Sequence, residues 1–315
     1  MKIVFMGTPD FAKNILQGLV EAGHEVTGVY TQPDKPKGRS GQPVPSPVKE
    51  YAQTVGIAVY QPEKIKKEEE VALLKTIPAD IFVVAAYGQI LSQKILDIPK
   101  FGCINAHGSL LPKYRGSSPI QRAIANGDEK TGVTLMKMDK GMDSGDIIAM
   151  SEIKIEDADN EITMYDKLSF LAKDLVLEYL PLIESGKATY TPQNADEVTF
   201  APMLKKEDGL LSFDLPARLL DCKVRGFLAW PTAYMYFGGK LLKIYRSAVR
   251  GKDEFANITD ELANGTFVKL KKNLLVATSE GFLELLEVQP EGKKRMPAMD
   301  FANGCHIETG MKIGL

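Results

Sequence analysis

The sequence predicts an α/β fold: a doubly wound, Rossmann-like, mostly parallel sheet followed by a smaller β-barrel domain. Three observations carry the prediction. A strand, a helix and a second strand follow one another within the first 30 residues, the pattern of a βαβ unit with its right-handed crossover. Two continuous apolar runs, 81–86 and 101–106, read as strands buried on both faces, as parallel strands are. Beyond residue 207 the pattern changes to short β-like runs broken by Gly, Asn and Lys, which suit a small barrel. A chain of 315 residues favours two domains over one. The expected division is an α/β domain over 1–187, a linker over 188–206 and the barrel domain over 207–315.

Taken in order, residues 2–6 form an apolar strand and Gly7-Thr8-Pro9-Asp10 a turn in which Pro9 opens a helix. Phe11, Ile15, Leu16 and Leu19 give that helix its apolar face, and Gly23 ends it. Residues 26–30 form the second strand. Residues 31–47 hold five prolines, two glycines and the cations Lys35, Lys37 and Arg39, so they form a long exposed loop. A helix starting at Ser46 or Pro47, a short strand at 58–60 and a charged solvated helix within 64–75 follow. Tyr87-Gly88-Gln89 leaves the strand at 81–86, and Ser92 begins a short helix. After the strand at 101–106, Pro119 opens a helix that Gly127 closes. Residues 131–138 and 147–155 alternate apolar with polar residues and are expected as an antiparallel edge hairpin, joined by an acidic Gly-rich turn. The longest helix, 161–184, is expected to open on a Thr163-x-x-Asp166 box and to cover one face of the sheet. One helix, 216–224, precedes the β-rich tail.

Composition sets bounds. Three widely spaced cysteines with no CxxC or Cys/His cluster argue against a structural zinc and for a reducing compartment. The apolar start is too short for a signal peptide or a membrane span, so a cytoplasmic protein without membrane association is expected. The net charge of −2 hides an asymmetry: residues 1–204 carry 22 cations against 27 acids, and residues 205–315 carry 17 against 14. The mildly basic tail suits a polyanionic partner.

The chemistry concentrates where the strand at 101–106 ends. Asn105 and His107 are separated by one residue, so on a strand their side chains point to the same side. His107 is an acid/base near neutral pH, and Asn105 can donate to an oxygen that becomes anionic. Asp143, in the loop between the hairpin strands, could orient His107, raise its basicity or pass a proton through water. Ser109 lies near, but Ser-Leu-Leu-Pro is not a nucleophile elbow. An acid/base and an oxyanion donor without a nucleophile point to direct transfer of an acyl group to the substrate's own nucleophile. Gly7-Thr8-Pro9-Asp10 is not GxGxxG, which rejects a nicotinamide enzyme.

Asn105-x-His107-x-Ser109-Leu110-Leu111-Pro112, with Tyr114-Arg115-Gly116 and Asp143-Ser144-Gly145-Asp146, resembles the formyltransferase family that uses 10-formyltetrahydrofolate. Residues 5–12, Thr31-Gln32-Pro33-Asp34, Gly38-Arg39, residues 45–49, Ala86-Tyr87-Gly88 and residues 119–124 resemble the branch acting on initiator methionyl-tRNA. Val224-Arg225-Gly226-Phe227, Trp230-Pro231 and Gln289 to Lys294 resemble that branch's C-terminal domain. The resemblance implies Asn105, His107 and Asp143 as the catalytic trio. It implies that Ser109, Leu110, Leu111 and Pro112 border the tetrahydrofolate site, with the backbone of Tyr87, Gly88, Gln89, Ile90 and Leu91 holding the pterin. It also implies an OB-like barrel, with tRNA contacts from Lys35, Lys37, Arg39, Lys293 and Lys294; separately, no metal and a monomer are expected. The chain departs from the pattern at Ser40-Gly41-Gln42, at residues 210–213 and at Gly108, none of them in the trio.

Overall fold

The computed structural model describes residues 1–36, 41–255 and 262–314. The expected Lys37 and Arg39 contacts lie outside them. The chain forms two compact units. The first comprises residues 1–119, 130–154 and 165–202, and the second residues 120–129, 155–164 and 203–315.

In the first unit β1 (Lys2–Gly7), α1 (Asp10–Glu21) and β2 (Glu25–Tyr30) form the expected βαβ start. The two-residue strands β3 (Lys35–Pro36) and β4 (Pro43–Val44) pair with each other. They are followed by α2 (Pro47–Thr54), β5 (Val59–Tyr60), α3 (Glu68–Thr76), β6 (Ile81–Ala85), α4 (Gln93–Leu96) and β7 (Cys103–His107). Between β7 and β8 the chain forms α5 (Pro119–Ala125), which from Ile120 belongs to the second unit; β8 (Lys130–Lys137), β9 (Ile147–Lys154) and α6 (Glu161–Glu184), in the first unit from Tyr165, follow. The sheet order is β5-β2-β1-β6-β7-β8-β9, parallel through β7 and antiparallel beyond it, so the edge hairpin stands as expected. Every residue of β6 and β7 is buried, which is why neither strand shows polar alternation. α6 packs on α1 through Phe11 and Tyr165, whose rings meet edge to face at 5.7 Å, and through Asn14, whose amide donates to Ser169 at 2.7 Å.

The start of α6 differs from expectation. Asn160, not Thr163, caps it: Asn160 Oδ1 accepts from Thr163 N at 3.2 Å, and Thr163 Oγ1 accepts from Asn160 N at 3.0 Å. The reciprocal box thus sits three residues earlier, because a short amide directly before the first helical residue reaches the orphan N–H groups best. Residues 188–202 are bonded along the first unit. Thr191 exchanges both backbone bonds with Ile147, and Ala201 N donates to Arg115 O at 2.7 Å.

The second unit holds α7 (Ala217–Gly226), β10 (Tyr234–Phe237), β11 (Lys240–Arg250), β12 (Phe267–Lys269), β13 (Leu274–Ala277), β14 (Phe282–Pro290), β15 (Met296–Pro297) and α8 (Ala298–Gly304). Its sheet runs β10-β11-β14-β13-β12 and is antiparallel throughout, with β15 added on β14. Register shifts near Ile244 and Arg246 bend β11. The sheet curls until Phe237 and Phe267, on the two end strands, meet ring to ring at 5.5 Å. No ladder joins those end strands among the described residues, so the unit is a curled open sheet rather than a closed barrel.

Cys103 and Cys222 are buried and Cys305 is exposed. Burial pushes the Cys103 thiol up to about 12 and the Cys222 thiol upward as well. Since the thiolate is the nucleophile, iodoacetamide at pH 8 on the native protein should label Cys305 and spare the other two, as peptide mass spectrometry would show.

Candidate active site

The carboxyl ends of β1, β2 and β6 are tied together where the strand order reverses. Thr8 Oγ1 donates to Tyr87 O at 3.1 Å, Gln32 Nε2 donates to the same carbonyl at 3.0 Å, and Gln32 N donates to Thr8 Oγ1 at 3.3 Å. Such switch points are where open α/β sheets bind ligands. Ala86 and Gly88 have φ of 44° and 83°, so the chain turns sharply out of β6. The turn sends the Tyr87 ring into the core, where its hydroxyl and that of Tyr30 are buried without a hydrogen-bond partner among the described residues. Burial raises both phenols far above their usual range. Tyr87 therefore offers a ligand its backbone surroundings and not its ring. Gln89 is locked as well, accepting from Ile65 N at 2.8 Å and donating to Pro62 O at 2.9 Å. The result leaves Ile90 80% exposed beside a buried Leu91.

One strand over, β7 carries Asn105 and His107 at its carboxyl end, 8% and 7% exposed. They pair with Met136 and Thr134 of β8, so their backbones are fixed by the ladder and only their side chains are at issue. His107 Nε2 lies 2.9 Å from Tyr114 O. A carbonyl can only accept, so the Nε2 proton is in place and Nδ1 is the nitrogen left to exchange one. Nδ1 stands 3.8 Å from Asp143 Oδ2. Asp143 Oδ2 also accepts from Gly116 N at 2.8 Å. The Asn105 carboxamide makes no hydrogen bond among the described residues, so both its N–H groups are available to a ligand.

Asp143 has φ of 49°, a left-handed conformation that Asp tolerates and β-branched residues do not. It is held there by Gln193, which sequence reasoning missed. Gln193 Nε2 donates to Asp143 O at 2.9 Å and to Gly145 O at 2.7 Å, while Arg115 Nε and a terminal guanidinium nitrogen donate to Gln193 Oε1 at 3.0 and 2.7 Å. Gln193 lies in a Pro-containing stretch with no periodicity, and no local signal marks it.

Gln89, Ile90 and Leu91 form one wall of a cavity of about 150 Å³; Met136, Met138 and residues 139–143 form the other. Ile90, Leu91 and the methionines supply an apolar slot, and Asp139, Asp143 and Gln89 supply the polar groups. Ser109 to Pro112 do not line this cavity. They form a turn fastened to β8: Thr134 Oγ1 donates to Ser109 O at 2.7 Å and accepts from Leu111 N at 2.9 Å, and Ser109 Oγ donates to Lys113 O at 2.7 Å. Among the described residues no cluster of His, Cys, Asp and Glu could hold a metal ion.

Gly145 seats the 139–146 turn on β8. A Cβ there would lie 1.7 Å from Lys137 O, a backbone atom that cannot move aside. Gly145→Ala should cost about 1–3 kcal/mol of stability by overpacking, read from the denaturant midpoint, and should weaken ligand binding in the cavity that the turn lines.

Of the expected tRNA-contact residues, Lys35 is exposed in β3. Lys293 and Lys294 are exposed in the turn between β14 and β15, beside Arg295, whose guanidinium lies 3.4 Å from the centre of the Tyr245 ring.

Comparison with known proteins identifies the family. The formyl transferase family model matches residues 1–180, and the formyl transferase C-terminal domain model matches residues 203–306. A methionyl-tRNA formyltransferase from Agathobacter rectalis is 46% identical over 98% of both chains. One from Bacillus subtilis is 44% identical over 100% of this chain and 98% of its own. Among solved structures, the sugar 3N-formyl transferase WlaRD shares the fold at a TM-score of 0.66 and 18% identity, covering 93% of this chain and 99% of its own. HypX from Aquifex aeolicus, solved with tetrahydrofolic acid, matches at a TM-score of 0.64 and 16% identity, covering 100% of this chain and 51% of its own. With a formyl transferase model on each part and relatives of this identity from end to end, the chain belongs to the methionyl-tRNA formyltransferase family and is a formyltransferase.

Proposed function

We propose that the enzyme moves the formyl group of 10-formyltetrahydrofolate to the α-amine of methionine carried by initiator tRNA, in the cytoplasm. The observation that carries this reading is the approach of Asp143 Oδ2 to within 3.8 Å of His107 Nδ1, with Asn105 two residues before His107 on the same strand and Asp143 also lining the slot. The slot suits a pterin, with Gln89 to Leu91 on one wall.

In this reading the neutral amine nitrogen bonds to the formyl carbon and the carbonyl electron pair moves to oxygen. Asn105 donates to that oxygen as it gains charge. His107 receives the amine proton at Nδ1, where Asp143 stabilises the imidazolium, and its Nε2–H on Tyr114 O keeps the ring from turning. The same proton returns to the folate nitrogen as the bond from carbon to that nitrogen breaks. Atoms balance without a covalent enzyme intermediate, which agrees with the lack of a nucleophile among these three side chains.

The tRNA falls in this reading to the loop with Lys35, Lys37 and Arg39, and to the second unit acting as an OB-like module through Lys293 and Lys294. Residues 1–187 would hold the chemistry, 188–206 would link and 207–315 would bind tRNA, on a monomeric chain. The deciding assay offers methionyl-tRNA, other aminoacyl-tRNAs and amino sugars side by side with 10-formyltetrahydrofolate. Formylation of methionyl-tRNA well above the rest is expected, and preference for an amino sugar would overturn the reading.

A further inference from the structure

Trp230 is the single tryptophan of the chain, and 54% of it is exposed. Exposed apolar residues are ordinary on protein surfaces. The support beneath this one is not. Its turn is gripped by Glu161, a carboxylate only 8% exposed. Glu161 Oε2 accepts from Ala229 N at 2.8 Å, its carboxylate also takes the Trp230 backbone N–H, and Gln121 Nε2 donates to Oε1 at 3.0 Å. Burial raises the Glu161 pKa, and those N–H groups pull the other way. Two residues on, Thr232 has φ of 68°, a β-branched residue in the left-handed region, and it is 3% exposed. Buried charge and backbone strain of this kind persist where a side chain must be held in one place.

Two exposed lysines follow the residue to which the indole is bonded. The indole Nε1 donates to Leu204 O at 3.4 Å, directly before Lys205 and Lys206. Of the acids that follow, Glu207 is exposed, while Asp208 is engaged by Arg122 at 3.3 Å and by Lys205 N at 2.8 Å. Met203 and Leu210, 74% and 44% exposed, extend the apolar surface at the two ends of this turn. An exposed aromatic face beside exposed cations is the elementary unit of single-stranded nucleic-acid binding, in which a base stacks and the backbone is neutralised.

We propose that Trp230 is the stacking platform for an unpaired nucleobase of the tRNA, with Lys205 and Lys206 taking the flanking phosphates. This rests on the tRNA reading above and names a contact within it. Because Trp230 is the only indole, its own emission reports the contact in the full-length enzyme. Titration with deacylated initiator tRNA should quench it in step with complex formation measured by filter binding. Trp230→Ala should weaken tRNA binding about tenfold, within the range contributed by one base–aromatic stack, and Trp230→Phe should retain most of the affinity. Tm and light scattering on each variant control for folding and self-association. Unchanged emission while tRNA binds, or Trp230→Ala binding like wild type, would overturn the proposal. So would a Trp230→Ala effect confined to the molecular mass, which makes the indole a protein contact. A wild-type enzyme that binds no tRNA overturns the parent reading and takes this proposal with it.

Discussion

His107→Ala should lower the single-turnover rate of formyl transfer by about 10²–10⁴-fold, the usual worth of a positioned acid/base group. The saturating concentrations of both substrates should move little, because the loss is confined to the step in which the proton moves. Alanine would also strip Tyr114 O of its donor and leave Asp143 without its facing imidazole. His107→Asn separates these effects. An asparagine can restore a donor toward Tyr114, yet it cannot accept a proton at pH 7. Equal, deep losses in both variants with an unchanged Tm would assign the defect to proton transfer. A rate for His107→Asn within about twofold of wild type would remove His107 from the chemistry.

Asn105→Ala should cost about 10²–10³-fold in kcat, or roughly 3–4 kcal/mol, as the loss of one oxyanion donor does in such sites. The side chain is well placed for that role: it is 8% exposed, it sits on a paired strand, and no protein group among those described competes for its N–H groups. Asn105→Asp keeps the shape and puts a carboxylate opposite the oxygen that becomes negative. It should be at least as slow as Asn105→Ala, whereas a purely steric role for Asn105 predicts near wild-type activity. Rapid-quench kinetics on the two variants decides between these outcomes.

How much of this was legible from the residues follows from the range of the interactions. The placement of Asn105 and His107 two apart on β7 was readable because a strand repeats every second residue, a purely local rule. The sheet was readable in part for a similar reason, since β6 and β7 are buried end to end and β9 alternates over its second half, whereas β8, expected to alternate, is buried along all six of its inner residues. Asp143 was a candidate by type and turn, but its approach to His107 is set by packing between loops. Its anchors were not legible at all: Gly116 N is 27 positions away and Gln193 is 50 away, and both act through backbone groups that carry no residue signature. The cap of α6 was misplaced by three residues because Asn160 and Thr163 are both capping residues, and which one faces the first turn depends on the loop before it. Helix α8 went unread because it is seven residues long and preceded by Pro297 without a side-chain cap.

The strap from Arg115 through Gln193 to the Asp143 turn has a consequence for synthesis on the ribosome. Arg115 and Gln193 are 78 positions apart, and the ladder between Arg115 and Ala201 closes later still. A nascent chain that has exposed Asn105, His107 and Asp143 possesses every proposed catalytic side chain, yet it lacks the segment that holds the carboxylate in its left-handed turn. The bonds that anchor the Asp143 turn can therefore all form only once residues near 200 are available, which predicts that a chain truncated before Gln193 lacks them.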